Sequence, residues 1–265
     1  MEAVNRSRFI KKLPSLQNAL DIFRGGWACK IPTPSANDEL QSGLVDAFVD
    51  DTRPLEAASA LGDHNREFKN YRILELGPLE AGHTYQLENL GADILAIESN
   101  VDAFLKCLIV KETLGLRSKF LLGDAIEFLE ANQGAFDLIF ASGFLYHLDD
   151  PIRALELIAK NCQSTYIWTH VFTDKKGSKG PPLKKEICTY NGIETALYRW
   201  QYMDTEAQDF WGGVEKSSAW MEPHAIVDWL NRFGFDDVKI LTEDASHVHG
   251  PCISLYARKT HTPSH

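Results

Sequence analysis

Several features that define other protein classes are missing from this 265-residue sequence. No two of its five cysteines have C-x-x-C spacing, and their scattered positions exclude a zinc ribbon or a disulfide framework. No apolar run approaches the roughly 20 residues of a membrane helix, and the first residues lack the apolar stretch of a signal peptide. We therefore expect a cytoplasmic protein without a membrane partner.

Blocks of basic residues are also missing, and the formal net charge is -10. Binding driven by the neutralisation of nucleic-acid phosphates is therefore not expected. The composition favours a small-molecule substrate and no nucleic-acid partner, and it leaves the oligomeric state open. The length suits one large α/β domain with a full core.

Short apolar runs alternate with amphipathic stretches from about residue 71 onward, which is typical of a parallel sheet covered by helices. The runs YRILELG, ADILAIES, KFLLGD, FDLIFAS and STYIWTHVF predict five strands, and the long apolar stretch VDAFLKCLIVKETLGL predicts a well-buried helix. DVKILTE and CISLYARK have no helical stretch between them, so they predict an antiparallel pair. We predict an α/β fold: a Rossmann-like, seven-stranded, mostly parallel sheet with helices on both faces and an antiparallel last strand.

The chain divides into an N-terminal segment, residues 1–66, which we expect to pack on a main domain over residues 67–265. Within that domain, residues 173–221 interrupt the alternation with a polar stretch followed by a dense set of aromatics. Aromatic rings can stabilise a cationic ligand and exclude water. We predict a substrate cap here, with candidate residues Trp27, Tyr198, Arg199, Trp200, Tyr202 and Trp211.

The first strand ends in Glu75 and runs into a loop, GPLEAG, that lacks the G-x-G-x-x-G pattern. Rossmann-like folds hold an adenosine at this position, with an acid about 20 residues later on the ribose, here Glu98. A dinucleotide pyrophosphate at this helix N-terminus would be repelled by Glu75 and Glu80. S-adenosylmethionine instead carries an ammonium and a sulfonium, so the loop favours that ligand.

Asp124 follows the third strand, where its side chain could accept the adenine amino group. The sequence FDLIFASGFLYHLDDP leads from the fourth strand into a loop at the carboxyl edge of the sheet, where open α/β sheets bind their ligands. With the loop after the first strand, these features make residues 71–259 resemble a class I S-adenosylmethionine-dependent methyltransferase.

The motifs ELGPLEAGHTYQLENLGA, GFLYHLDDP and WMEPHAIVDWLNRFGFDDVKIL further resemble a mostly uncharacterised bacterial subgroup related to tRNA wobble-uridine carboxymethyltransferases. The resemblance implies an enzyme that transfers a methyl group from S-adenosylmethionine to an oxygen, nitrogen or carbon nucleophile. The loop after strand one departs from the family pattern, because its middle glycine is absent, which leaves the contact of Gly82 open. The cofactor residues implied are Glu75, Gly77, Gly82, His83, Glu98, Ser99, Asp124, Ala125, Ser142 and Gly143.

Three residues are candidates for catalysis: Tyr146 and His147 in the Leu-Tyr-His step, and His170 near the end of the fifth strand. A histidine within about 3 Å of the attacked atom can remove its proton as the methyl group arrives. A structural or cofactor-side role is the alternative for Tyr146 and His147, and a hydrogen-bonded histidine at a strand end is the alternative for His170. His247 and His249 lie between the last two strands, which is expected to place them near the opposite edge of the sheet unless the loop folds back.

No metal is expected. Catechol-type methyltransferases require an acid at the end of strand four and an Asp-Asn pair after strand five. This sequence has Ala141-Ser142 and Thr169-His170 at those positions.

Three other functions stay open. A tRNA-modifying methyl- or carboxymethyltransferase could use the lysines of TDKKGSKGPPLKKE on phosphates. A nicotinamide-dependent dehydrogenase is disfavoured by Glu80 and the missing glycine pattern. A binding module could retain the cofactor without turnover.

Overall fold

The computed structural model describes residues 9–34, 40–62, 67–131, 135–174, 181–202 and 213–260. The strands in these ranges are β1 Arg72–Leu76, β2 Asp93–Glu98, β3 Lys119–Leu122, β4 Phe136–Ser142, β5 Cys162–His170, β6 Lys184–Tyr190, β7 Ile193–Gln201, β8 Ser217–Trp220, β9 Asp237–Asp244 and β10 Cys252–Arg258. The α-helices are α1 Leu16–Leu20, α2 Arg53–Ala60, α3 Gly82–Asn89, α4 Val101–Leu114, α5 Ala125–Glu130, α6 Pro151–Asn161 and α7 Pro223–Arg232. Short 3-10 helices occupy Asp21–Phe23 and Leu145–His147.

The main sheet has seven strands in the order β3-β2-β1-β4-β5-β10-β9. Strands β1 to β5 pair in parallel, whereas β10 is antiparallel to both β5 and β9. The predicted fold class and the antiparallel closing pair are confirmed. Because parallel strands point the same way, the carboxyl ends of β1, β2, β4 and β5 meet at one edge of the sheet.

The sheet is covered on both faces, and neighbouring residues of a strand belong to different cores. Leu74 and Leu76 of β1 lie in a buried cluster with residues of α5, α6 and α7. Ile73 lies in a second cluster, which includes residues of α2, α3, α4 and the N-terminal segment. Burial of both faces explains why the strands read as nearly continuous apolar runs.

Helix α4 is less buried than its composition predicted. Its inner face carries Cys107 and Val110, whereas Leu105 and Leu108 are 41% and 39% exposed. Positions 105 and 108 are three residues apart and share one side of a helix, so only the opposite side can face the sheet. The prediction of a well-buried helix was therefore wrong.

Part of the aromatic-rich stretch forms a separate three-stranded antiparallel sheet in the order β6-β7-β8. Tyr198 of β7 pairs with Trp220 of β8 in its register. The backbone N–H of Ala219 donates a hydrogen bond to the carbonyl oxygen of Leu148 at 2.8 Å. This bond joins the small sheet to the loop that follows β4.

The N-terminal segment is attached to the loop after β1 by the carboxylate of Glu80, which is 1% exposed. Glu80 accepts hydrogen bonds from the backbone N–H groups of Ala28 at 3.1 Å and Cys29 at 2.7 Å. The ammonium of Lys106 pairs with it at 2.7 Å. The interpretation that Glu80 serves a cationic ligand is corrected, because its charge is already balanced by Lys106.

Replacing Glu80 by alanine should release the N-terminal segment. The change leaves the Lys106 ammonium and two backbone N–H groups without their buried acceptor, a loss of about 3 kcal/mol or more in the free energy of unfolding. Chemical denaturation and hydrogen exchange of residues 26–30 measure both effects. The exposed Glu127→Ala is the control, and equal stability of the two variants would contradict the assignment.

Candidate functional site

The loop between β1 and α3 has the backbone conformation of a glycine-rich turn, although it contains few glycines. Gly77, Leu79 and Ala81 have φ angles of 71°, 56° and 61°, in the left-handed region. This conformation costs a non-glycine residue of order 1 kcal/mol or more, so its neighbours must hold it in place. Gly82 begins α3, and a Cβ there would lie 3.3 Å from Ala47, so its small size admits the N-terminal segment.

Glu98 ends β2 and is 7% exposed. One carboxylate oxygen accepts the N–H of Leu79 at 3.0 Å, and the other accepts the N–H of Asn100 at 2.9 Å. Burial raises the pKa of Glu98, although these hydrogen bonds oppose the shift. Each oxygen can accept a second donor, so Glu98 both holds the strained loop and could bind a pair of hydroxyls.

Glu75 is 1% exposed at the start of this loop. One of its oxygens accepts the hydroxyl hydrogen of Thr84 at 2.5 Å, and the other, Oε1, is buried without a hydrogen-bond partner among the described residues. Burial, together with the nearby charge of Glu98, raises the pKa of Glu75 to about 7, although the hydrogen bond from Thr84 opposes the shift. A buried carboxylate with an unpaired oxygen calls for a donor, preferably a cationic one.

Other predicted cofactor residues surround this loop. Asp124 caps α5 by accepting the N–H groups of Ile126 at 2.7 Å and Glu127 at 3.1 Å through a single oxygen, Oδ1. Ala125 is buried, whereas Ser99 is exposed beside Glu98. Capping leaves Oδ2 of Asp124 available to a ligand.

A polar cluster that the sequence analysis missed lies between the N-terminal segment and the end of β4. Arg53, the first residue of α2, donates to the hydroxyl of Ser142 at 3.0 Å and pairs with Asp51. His83 of α3 contacts the same Asp51 carboxylate at 2.9 Å. Burial would raise the pKa of Asp51, but the hydrogen bonds from His83 and Arg53 outweigh it and keep this pKa below its usual range.

Arg53 also extends the cluster toward β5, because its guanidinium lies 4.8 Å from the ring centroid of Trp168. Gly143, which follows Ser142, has a φ of 79° and turns the chain there. Arg53 lies 89 residues before Ser142 in the sequence, so the motifs of residues 71–150 gave no signal for it.

Aromatic and imidazole rings meet at the carboxyl end of β5. His170 stacks on Trp220 with 5.1 Å between ring centroids, and it contacts the rings of Tyr146 at 4.7 Å and Trp168 at 5.1 Å. Burial lowers the pKa of His170 to about 4, so its imidazole is neutral at physiological pH. Burial likewise raises the pKa of Tyr146 to about 12.

The turn between β9 and β10 lies at this same edge, and the prediction that His247 and His249 lie near the opposite edge was wrong. Cys252, the first residue of β10, pairs with His170, the last residue of β5. An antiparallel strand must start where its parallel neighbour ends, which brings the preceding turn to the site. The His247 ring centroid is 5.3 Å from that of His170.

The predicted catalytic residues are thus partly brought together. Tyr146 joins the ring cluster with His170, and the ring of His147 contacts that of Tyr146 at 4.1 Å between centroids. Gly213 also fits closely against His147: a Cβ at that position would lie 2.4 Å from the His147 carbonyl oxygen. This packing favours a structural role for the His147 backbone.

The predicted substrate-cap residues have several different packing partners. Tyr198 stacks on Phe172 and donates to Glu222 at 2.6 Å. Trp200 and Tyr202 pack edge to face at 4.9 Å. Trp27 donates to the carbonyl of Leu20 at 2.8 Å, within the N-terminal segment. Trp211 lies outside the described residues.

The side chain of Arg199 binds partners in the small sheet and in the loop after β4. Its guanidinium pairs with Glu186 at 2.8 Å and with Asp149, and it donates to Ser217. These bonds connect β6, β8 and the loop after β4. Arg199 therefore has structural partners.

Two further features are absent from the described part of the chain. No group of three or more histidine, cysteine, aspartate or glutamate side chains in it is arranged to hold a metal ion. None of its helices has the length and apolar character to span a membrane.

The raised pKa of Glu75 predicts a specific pH dependence of stability. The usual pKa is 4.5 and the folded-state pKa is about 7, so the unfolded chain loses this proton first and the contribution of Glu75 to stability falls as pH rises from 4.5 through 7. Glu75→Gln removes this effect and should gain up to about 3 kcal/mol relative to the native protein between pH 4 and pH 8. Urea denaturation across this range measures it, with exposed Glu127→Gln as control. Parallel curves for native protein and Glu75→Gln would contradict the assignment.

Comparison with known proteins identifies related sequences and folds. Residues 74–164 match the family model described as a methyltransferase domain. Two relatives are the tRNA U34 carboxymethyltransferases of Pseudomonas putida strains GB-1 and W619, which are 27% and 26% identical over 183 and 185 residues. These alignments cover 68% and 69% of this chain but only 50% and 51% of the relatives. The chain thus spans about half the length of these relatives.

Solved structures show the same fold at low sequence identity. The N-terminal domain of EvdMO1, crystallised in the presence of SAH and D-fucose, is 22% identical with a TM-score of 0.68, over 92% of this chain and 95% of that one. TehB from Haemophilus influenzae is 12% identical with a TM-score of 0.52, over 91% and 67% of the two chains. Residues 74–164 are thus similar to a methyltransferase domain, the chain is similar to part of two tRNA U34 carboxymethyltransferases, and the solved structures share its fold.

Proposed function

We propose that this protein transfers a methyl group from S-adenosylmethionine to a small-molecule acceptor. The observation that carries the proposal is the unpaired, buried oxygen of Glu75 beside the loop held by Glu98. S-adenosylmethionine supplies an electrophilic methyl group on a positively charged sulfur, with an ammonium nearby. A buried carboxylate is stabilised by such a cation, whereas the phosphates of a dinucleotide would be repelled.

Different residues at the sheet edge would bind different parts of the cofactor. Glu98 would accept the ribose hydroxyls, and the Oδ2 oxygen of Asp124 would accept the adenine amino group. Glu75 would accept the ammonium. Arg53 would donate to the methionine carboxylate from its position beside Ser142, since a guanidinium is suited to binding a carboxylate.

The transferred group is proposed to be methyl, although the relatives are named as carboxymethyltransferases. A carboxymethyl group would bring an additional carboxylate to the site. The guanidinium of Arg53 is already paired with Asp51 and would also serve the methionine carboxylate. This charge balance favours a transferred group without charge.

The acceptor is proposed to bind beside Tyr146, Trp168, His170 and Trp220. Aromatic walls and neutral imidazoles suit an uncharged or weakly polar small molecule, and they can exclude water from the transferred methyl group. The EvdMO1 domain of similar fold was crystallised in the presence of a sugar, D-fucose, which supports an acceptor of that size. Positioning of the nucleophile would supply most of the rate, with His170 as the candidate base.

A tRNA acceptor is the second candidate, because both relatives act on tRNA according to their names. The net charge of -10 opposes it, since RNA affinity depends on neutralising phosphates. The small-molecule acceptor is therefore the function that we favour.

Calorimetric titration with S-adenosylmethionine, S-adenosylhomocysteine and NAD tests the cofactor. The two sulfur ligands should bind in the micromolar range, and NAD should not. Glu98→Ala removes the ribose acceptor and the anchor of Leu79, so affinity should fall at least tenfold, about 1.4 kcal/mol. Glu88→Ala, at the end of α3 away from this loop, is the control. Binding of NAD alone would overturn the proposal.

A further inference from the structure

The hydrogen bonds around His170 fix which of its ring nitrogens carries the proton. Nδ1 lies 3.1 Å from the carbonyl oxygen of Gly250 and 3.2 Å from that of Pro251. A carbonyl oxygen only accepts, so Nδ1 must be the protonated nitrogen that donates to both. In the neutral ring, Nε2 then carries the lone pair and is an acceptor.

His247 has the opposite arrangement. The backbone N–H of His249 donates to Nδ1 of His247 at 3.3 Å, so Nδ1 is the acceptor and Nε2 carries the hydrogen. Burial lowers the pKa of His247, and the charge of His249 lowers it further, so both favour the neutral ring. The two ring centroids are 5.3 Å apart, so one ring with an acceptor nitrogen and one with a donor nitrogen are neighbours.

We propose that this histidine pair selects a hydroxyl group as the methyl acceptor, so that the enzyme is an O-methyltransferase. The inference rests on the proposed function and deepens it. A hydroxyl donates one hydrogen bond and accepts others, so it can bind Nε2 of His170 and Nε2–H of His247 together. An ammonium group only donates and would leave the His247 donor without a partner on the acceptor molecule.

The pair also accounts for the proton in the reaction. The hydroxyl oxygen bonds to the methyl carbon while the carbon–sulfur bond breaks and its electron pair stays on sulfur, giving S-adenosylhomocysteine. The hydroxyl proton moves to Nε2 of His170. The resulting imidazolium keeps its two carbonyl partners at Nδ1, which favours the charged ring at the moment of transfer.

Trp220 indicates further oxygen atoms on the acceptor. Its indole stacks on His170, is 3% exposed, and its Nε1–H is buried without a hydrogen-bond partner among the described residues. A buried donor of this kind normally finds an acceptor. A second oxygen of a polyhydroxylated molecule would serve, with its apolar face against the ring of Trp168 or Trp220.

The tautomers can be measured directly. Nitrogen-15 NMR of histidine-labelled protein, saturated with S-adenosylhomocysteine near pH 7, should show His170 protonated at Nδ1 and His247 at Nε2. The variants His170→Asn and His247→Gln assign the two signals, and the exposed His224→Gln is the assignment control. The same tautomer on both rings, or a charged ring, would overturn the proposal.

Matched acceptors test the selection. Mass spectrometry of reactions with S-adenosylmethionine should show methylation of phenol over aniline and of cyclohexanol over cyclohexylamine, at least tenfold in rate. His247→Gln keeps a donor near Nε2 and should retain this preference, whereas His247→Leu should lose it. Preferred methylation of the amines would overturn the proposal, and the tautomers decide it if no pair reacts. Failure of S-adenosylhomocysteine to bind would instead refute the cofactor assignment.

Discussion

Burial of negative charge around one loop is the constraint on which the rest of the structure depends. Three glutamates, Glu75, Glu80 and Glu98, are each less than 10% exposed, and each must find donors because a buried unpaired carboxylate is costly. Lys106 and the N-terminal segment satisfy Glu80, and the loop backbone satisfies Glu98. One oxygen of Glu75 has no hydrogen-bond partner among the described residues, and a cationic ligand would supply the missing donor.

The topology of the main sheet brings these residues together at one edge. Strands β1, β2, β4 and β5 end together, which gathers Glu75, Glu98, Ser142 and His170, and the antiparallel β10 returns the turn carrying His247 to the same edge. The N-terminal segment then adds Arg53 between the end of β4 and Trp168. Under the proposed function, the charged residues that would bind the cofactor are thereby adjacent to the rings that would bind the acceptor.

The local sequence pattern was sufficient to predict the parallel sheet. Apolar runs and helix caps such as Asp150 involve residues that are close in sequence, so they can be recognised from a short stretch. The role of Glu80 could not be read from its position in the loop, since its partners lie 26 to 52 residues away. Arg53 was missed for the same reason. The predicted position of His247 was wrong, although the sequence contained the information needed. A last strand antiparallel to β5 must begin at the carboxyl end of β5, and this places the turn before it at that edge.

In the proposed function, the buried carboxylate of Glu75 binds the positively charged ammonium of the cofactor. Titration with S-adenosylhomocysteine near pH 7, in buffers of different ionisation enthalpy, counts the protons exchanged on binding. The ammonium should lower the raised pKa of Glu75, so the native protein should release a fraction of a proton that Glu75→Gln does not release. Equal proton release by the two proteins, at equal saturation, would contradict the account.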